Sequence, residues 1–171
     1  DPNLKNKLRT VEGKIQLFEF NGNMLPLPTE IEISESGTCN RSCAFCPRSA
    51  VGFEDKKEFI TSELHQKLCD QLKEIDYEGT IRYSGFVEPM LDKNIFNLID
   101  RARKCLPKVN IEMVTNGDPL NLKRLNRLFE VGLNKILISA YDSKEDADKL
   151  ENLCKKANLD ENHYPQNNIY V

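Results

Sequence analysis

From residue 30 onward, apolar positions fall into two alternating rhythms. Glu30–Ser34 (E-I-E-I-S), Thr80–Ser84 (T-I-R-Y-S), Asn110–Thr115 (N-I-E-M-V-T) and Lys135–Ser139 (K-I-L-I-S) are short, rich in β-branched residues and read as strands. Between them apolar residues recur three and four apart. Ile60, Leu64, Leu68, Leu72 and Ile75 predict a helix over Thr61–Ile75, with Thr61 or Ser62 as its cap. A second helix is predicted from about Lys93 to Leu106, where Pro107 stops it. Leu122, Leu125, Leu128 and Phe129 mark a third, closed by Gly132. Ser143 and Asp146 form a capping pattern for a fourth reaching about Ala157, and Asn168–Val171 can begin a fifth strand. Before this region, residues 11–28 alternate around Asn21-Gly22 and predict a β-hairpin.

Strand alternating with helix predicts βαβ units and an α/β fold with a parallel sheet. Four or five strands are too few for a closed eight-stranded barrel. The expected architecture is therefore an open parallel (βα) arc, a partial TIM-type barrel in an apparently truncated chain. The expected organisation is a hairpin extension over residues 1–29 and a core over residues 30–171. In such folds, chemistry collects in the loops after the strands. The unusual segments all stand there: T-C-N-R-S-C-A-F-C-P-R (38–48), S-G-F-V-E-P (84–89), T-N-G-D-P (115–119) and S-A-Y-D (139–142).

Composition narrows the function classes. Charged residues make up 30% and hydrophobic ones 39%, a globular balance, and the net charge of −3 gives no reason to expect nucleic acid or a membrane surface. No apolar run approaches the roughly 20 residues of a membrane helix, and the first residues lack a signal-peptide core. A cytoplasmic, reducing setting is the expectation.

Three of the six cysteines, Cys39, Cys43 and Cys46, crowd into one loop, which points to metal rather than to disulfides. Zinc in a structural site wants four ligands, so a zinc module would need a remote residue such as His65 or Cys69. Ferredoxin-type clusters also use four cysteines, and the C-x2-C-x2-C run is missing. A [4Fe–4S] cube held by three leaves one iron open to an external molecule.

C-N-R-S-C-A-F-C resembles the C-x3-C-x-Φ-C signature of the radical S-adenosylmethionine (SAM) superfamily, with Phe45 at the aromatic position. The resemblance runs from about Pro28 to Ala157 and is closest to the subgroup with C-x3-C-x2-C-P-R, G-x-x-E-P and T-N-G motifs. It implies that Cys39, Cys43 and Cys46 hold a [4Fe–4S] cluster whose fourth iron is chelated by the methionyl end of SAM. It implies reductive cleavage of SAM to a 5′-deoxyadenosyl radical that takes hydrogen from a substrate, with many relatives acting on peptides, proteins or natural products. An electron donor such as flavodoxin or ferredoxin is the implied partner.

By the same resemblance, Gly85, Phe86, Val87 and Glu88 correspond to the family's G-G-E-P segment, with Phe86 and Val87 where glycines usually stand. Thr115, Asn116 and Ser139 are the implied contacts to SAM's ribose or carboxylate. Several residues admit a plainer reading. Glu88 can be a strand-end carboxylate on a solvated rim, and Asp118 a turn residue beside Gly117. Arg41 and Arg48 either tune the cluster loop or merely solubilise it. Cys69, Cys105 and Cys154 are expected to pack in helices, and His65 and His163 to lie at the surface.

Overall fold

The computed structural model describes residues 15–157 and 169–171. Strands β1 (Leu17–Phe20) and β2 (Asn23–Pro26) pair antiparallel across the Asn21–Gly22 turn, giving the expected hairpin. Gln16 ties it to the core, donating from Nε2 to Asp76 O and accepting from Glu78 N–H.

The core is a five-stranded parallel sheet. β3 (Glu30–Ile33), β6 (Thr80–Tyr83), β7 (Asn110–Thr115), β8 (Lys135–Ile138) and β9 (Ile169–Tyr170) lie side by side in chain order. Helices α1 (Ser62–Glu74), α2 (Ile95–Cys105) and α3 (Leu122–Glu130) connect successive strands, and α4 (Lys144–Lys156) follows β8. Thr61, Asn121 and Ser143 cap α1, α3 and α4 by accepting N–H groups of the first turn. The open (βα) arc anticipated from the pattern is the observed architecture.

One sheet face packs on the helices through Ile33, Ile81, Tyr83, Ile111, Met113, Ile136 and Ile138, against Leu72, Leu98, Ile99, Ala102, Leu125, Leu128 and Phe129. Each such side chain taken from water contributes roughly 1.5–3 kcal/mol. The opposite face is polar. Arg82 donates to Glu30 and Glu112, Lys135 stands 3.7 Å from Glu112, and Ser84 Oγ donates to Glu32. Strand alternation thus separates a dry face from a charged one.

Two readings of α1 need correction. Leu64 is 57% exposed, whereas His65 is fully buried and the stripe facing the sheet is His65, Cys69 and Leu72. Ile60, Leu68, Leu72 and Ile75 pack on the core as expected, and His65 joins them because Tyr83 Oη offers its Nε2 a partner at 2.8 Å. Burial then pushes the imidazole down to about 4, helped by Arg101. His163 lies outside the described residues. Cys69 is buried, and Cys105 and Cys154 are half-buried against the core, as packing residues should be.

An unforeseen ladder frames the cysteine loop. β4 (Ser36–Gly37) pairs antiparallel with β5 (Lys56–Phe59), so residues 38–55 leave and return through one two-stranded neck. Ser-Gly against Lys-Lys-Glu-Phe carries no alternation from which a strand could be read.

Candidate functional site

The cysteine loop stands at the carboxyl ends of the sheet strands. Cys46 N–H donates to Cys43 O at 2.9 Å, and Ser49 donates to Cys46 O through its N–H and to Cys43 O through its hydroxyl. These bonds make a tight turn, continued by one helical turn over Pro47–Ser49. Arg41 N–H points at Cys39 Sγ, 3.4 Å away. All three thiols are free and half-buried.

A single cavity is lined by Cys39, Cys43, Cys46, Phe45, Gly85, Phe86, Val87, Glu88, Thr115 and Asn116, together with Arg41, Arg48, Val114 and Tyr141. The structure therefore brings together every site residue expected from the sequence except Ser139. That residue is not among the lining; its N–H donates to Thr115 O, and Tyr141, two positions on, reaches the cavity instead. Tyr141 packs its ring on Phe45 with centroids 5.5 Å apart.

The S-G-F-V-E-P loop is bound to the cysteine loop through its backbone. Glu88 N–H donates to Thr38 O, and Ser84 N–H continues the sheet to Ile33 O. Gly85 adopts φ +114°, and a Cβ there would lie 2.1 Å from Ser34 Oγ, so glycine is required. Arg48 reaches across to Phe86 O and Gly37 O and pairs with Asp55; its side chain is only 5% exposed, so it is a structural tie rather than a solubilising charge. Among the described residues, the carbonyls of Gly85 and Val87 accept no hydrogen bond.

Glu88 does not stand on a solvated rim. It is 1% exposed, and its carboxylate accepts from Thr115 Oγ1 (2.6 Å), Asn116 N–H (2.8 Å) and Met90 N–H (3.0 Å). Burial raises its pKa while these donors oppose the rise. Asp118 is likewise more than a turn residue. It takes Arg41 and Asn40, and the Arg41 hydrogen bonds hold its carboxyl below the usual range. Asp142, also on Arg41, is lowered for the same reason, while the two carboxylates raise the Arg41 pKa. Both Asp118 and Asp142 close rim segments visible in the sequence, T-N-G-D and S-A-Y-D, which was the available signal for them.

The donor set can be tested against the cofactors it would hold. Among the described residues no three of His, Cys, Asp and Glu converge as one metal ion requires. A structural zinc site needs four convergent ligands, whereas a cube offers a different iron to each thiolate, which need not meet at a point. Three free thiols lining one cavity together with the loops after β6 and β7 fit a cluster with a small ligand beside it.

Fold and site together define an α/β protein with a three-thiol cavity at the strand ends. The family model of the radical SAM superfamily matches residues 33–162, and the chain belongs to that superfamily. Its members use a [4Fe–4S] cluster and SAM, and require a reductant and a substrate. Among curated relatives, S-adenosyl-L-methionine-dependent 2-deoxy-scyllo-inosamine dehydrogenase of Niallia circulans is 32% identical over 111 residues, 65% of this chain and 44% of that protein. GTP 3′,8-cyclase of Mesorhizobium japonicum is 26% identical over 133 residues, 76% of this chain and 39% of that protein. Among solved structures, BtrN in complex with AdoMet and 2-DOIA superposes with a TM-score of 0.70 at 27% identity, over 84% of this chain and 55% of that one. Methylornithine synthase (PylB), at 16% identity and a TM-score of 0.55 over 75% of this chain and 41% of that one, shares the fold. The chain thus spans about half or less of the relatives it matches.

Proposed function

We propose that the chain carries the cofactor site of a radical SAM enzyme. The observation that carries this reading is the single cavity shared by the three motif cysteines and the loops after β6 and β7. Cys39, Cys43 and Cys46 hold the [4Fe–4S] cluster. When bound, it supplies one electron for cleavage of SAM to methionine and a 5′-deoxyadenosyl radical, which abstracts hydrogen from the substrate. The free carbonyls of Gly85 and Val87 suit a methionyl amino group, which donates. A backbone acceptor does not depend on the side chain, so Phe86 and Val87 can stand where the family's glycines do. Glu88 braces Thr115 and Asn116 at the wall where the ribose and carboxylate would lie. Ser139 stands behind Thr115 and acts through it, while Tyr141 and Phe45, packed on each other, line the cavity.

The compound in the name of the Niallia circulans relative supports a small polar natural product as the substrate more than a peptide. The division into a hairpin over residues 1–29 and a core over 30–171 is part of the same reading, supported by the hairpin's separate sheet. So are a flavodoxin or ferredoxin as donor and a reducing cytoplasmic setting. Among the described residues no helix is long and apolar enough to cross a membrane.

Anaerobic reconstitution tests the proposal. The protein should hold about four irons per chain and absorb broadly near 400 nm. SAM should alter the electron paramagnetic resonance (EPR) spectrum of the reduced cluster, and dithionite should release 5′-deoxyadenosine. A colourless protein loaded with zinc would overturn the assignment, and a cluster-bearing protein that never cleaves SAM would make the chain an inactive cluster-binding piece.

A further inference from the structure

Arg41 lies between two motif cysteines, yet its guanidinium is committed to two other loops. Nε and Nη2 fork onto Asp118 at 2.7 and 2.5 Å, and Nη1 and Nη2 fork onto Asp142 at 2.7 and 2.8 Å. Asp118 follows β7 and Asp142 follows β8. The neighbouring Asn40 reinforces the first contact, donating to Asp118 Oδ2 at 2.7 Å and accepting from Asn116 Nδ2 at 2.8 Å. The Tyr141 ring lies under the guanidinium, 5.7 Å from its carbon.

A lone ion pair at this exposure would contribute little; the Arg41, Asp118 and Asp142 side chains are 20%, 36% and 56% exposed. Two forks on one guanidinium are a different object. Each fixes the plane as well as the position of the group, and the second forms on a side chain the first has already ordered. What they hold is a long loop, residues 38–55, with one helical turn of its own. Ordering free backbone costs conformational entropy at every residue. If the loop were slack, that cost would be drawn from cofactor binding. The backbone of Arg41 is also the part of the loop that touches a ligand thiol, through its N–H on Cys39 Sγ. Turning residue 41 turns that contact.

We propose that Arg41 is a positioning residue for the cofactor site. Clamped by Asp118 and Asp142, it sets the cysteine loop before the cluster arrives and locks it to the two loops that complete the cavity. The proposal rests on the assignment of Cys39, Cys43 and Cys46 as cluster ligands. It also makes the fork, rather than the positive charge alone, the working part.

The test compares the wild-type chain with Arg41→Met, Arg41→Lys, Asp118→Asn and Asp142→Asn under anaerobic conditions. In metal-free protein, alkylation of Cys39 by iodoacetamide, read by mass spectrometry, should quicken by roughly tenfold in Arg41→Met and Arg41→Lys, equivalent to about 1.4 kcal/mol of loop order. Cys154, on α4, serves as the internal reference and should react at an unchanged rate. Iron and sulfide uptake should slow in the same variants. In loaded protein the reduction potential, followed by EPR, should move down in Arg41→Met and up in Asp118→Asn and Asp142→Asn, since these remove charges of opposite sign. A merely structural ion pair would move melting temperature alone. Wild-type alkylation in Arg41→Met and Asp118→Asn, or full rescue by Arg41→Lys, would overturn the clamp. Should Arg41→Met fail to fold, Asp142→Asn, which alters only an exposed carboxylate, answers the same question. If the wild type takes up no iron, the cluster assignment fails, while the alkylation rates still decide whether the clamp exists.

Discussion

Glu88, on the loop after β6, and Thr115, the last residue of β7, share a 2.6 Å hydrogen bond in which the threonine hydroxyl donates to a buried carboxylate. The other oxygen of Glu88 takes Asn116 N–H, so one side chain holds the G-x-x-E-P and T-N-G loops at a fixed separation. Glu88→Ala would leave three donors without acceptors, and each buried orphan costs roughly 1–3 kcal/mol. Urea unfolding should therefore show a loss of about 3–5 kcal/mol. Glu88→Gln, which keeps an acceptor but turns an amide donor on other donors, should lose less. Equal stability of Glu88→Ala and wild type would remove the brace.

Two buried groups should pull stability in opposite directions with pH. Glu35, 1% exposed with neither carboxylate oxygen hydrogen-bonded, is pushed by burial from 4.5 to about 7, with nearby Asp92 and Glu88 adding to the rise. Folded protein keeps this proton where unfolded protein loses it, so its contribution declines as pH climbs from 4.5 toward 7. His65 falls by burial from 6.5 to about 4, so its contribution is full above 6.5 and declines as pH drops toward 4. Between about 4.5 and 6.5 the two slopes cancel, each at most about 1.4 kcal/mol per pH unit. The profile of the wild type there should lie between those of the two single variants. Glu35→Gln should unmask a rise with pH, and His65→Gln a fall. Parallel profiles for the two variants would show that one of these groups titrates normally.

The six cysteines should separate into two classes. Replacing Cys39, Cys43 or Cys46 with Ala deprives one iron of its thiolate and should abolish SAM cleavage in each case. Cys154→Ser should leave cluster content intact, and Cys69→Ser should cost about 1–3 kcal/mol, because it puts a hydroxyl that must shed its water in place of a buried thiol beside His65 Nδ1. Iron content, 5′-deoxyadenosine yield and urea midpoints across the set provide the measurement. A fully active variant of the first trio, or an iron-free Cys154→Ser protein, would redraw the ligand set.

The parts of this molecule that were legible in the sequence are those whose signal is local. Strands β6 to β8 and their helices announce themselves through periodicity, and the three cysteines through adjacency. The misread parts depend on distant partners. His65 looks like a surface residue until Tyr83, 18 positions on, supplies a hydrogen bond that makes burial tolerable. Arg41 reads equally as a charge that tunes the cluster loop or one that solubilises it until the fold brings Asp118 and Asp142 to it from 77 and 101 residues away. The β4–β5 neck fails as a pattern for another reason: it is held by backbone pairing, and its side chains carry no period. Glu88 reads as a site residue from its motif, but nothing adjacent to it says that Thr115 and Asn116 will close over it.

Gly85 offers a way to separate space from backbone torsion at the cavity wall. A methyl group there would stand 2.1 Å from Ser34 Oγ, and φ of +114° is a conformation L side chains rarely adopt. Ser34 Oγ also donates to Ser84 O at 3.0 Å, so the serine cannot swing away without releasing the residue before the glycine. Gly85→Ala should therefore combine a steric penalty with a torsional one, the latter about 1–3 kcal/mol. Ser34→Ala removes the colliding oxygen and should cost about 0.5–1.5 kcal/mol for its lost hydrogen bond. In the double variant the steric part disappears and the torsional part stays, so the two substitutions together should cost less than their sum. SAM binding, followed by the EPR change of the reduced cluster, should weaken in Gly85→Ala and recover only in part in the double variant, because a displaced residue 85 carries its carbonyl away from the cavity. Additive losses with unaltered SAM binding would mean that the loop absorbs the methyl group by moving, and that its backbone position does not govern the cofactor site.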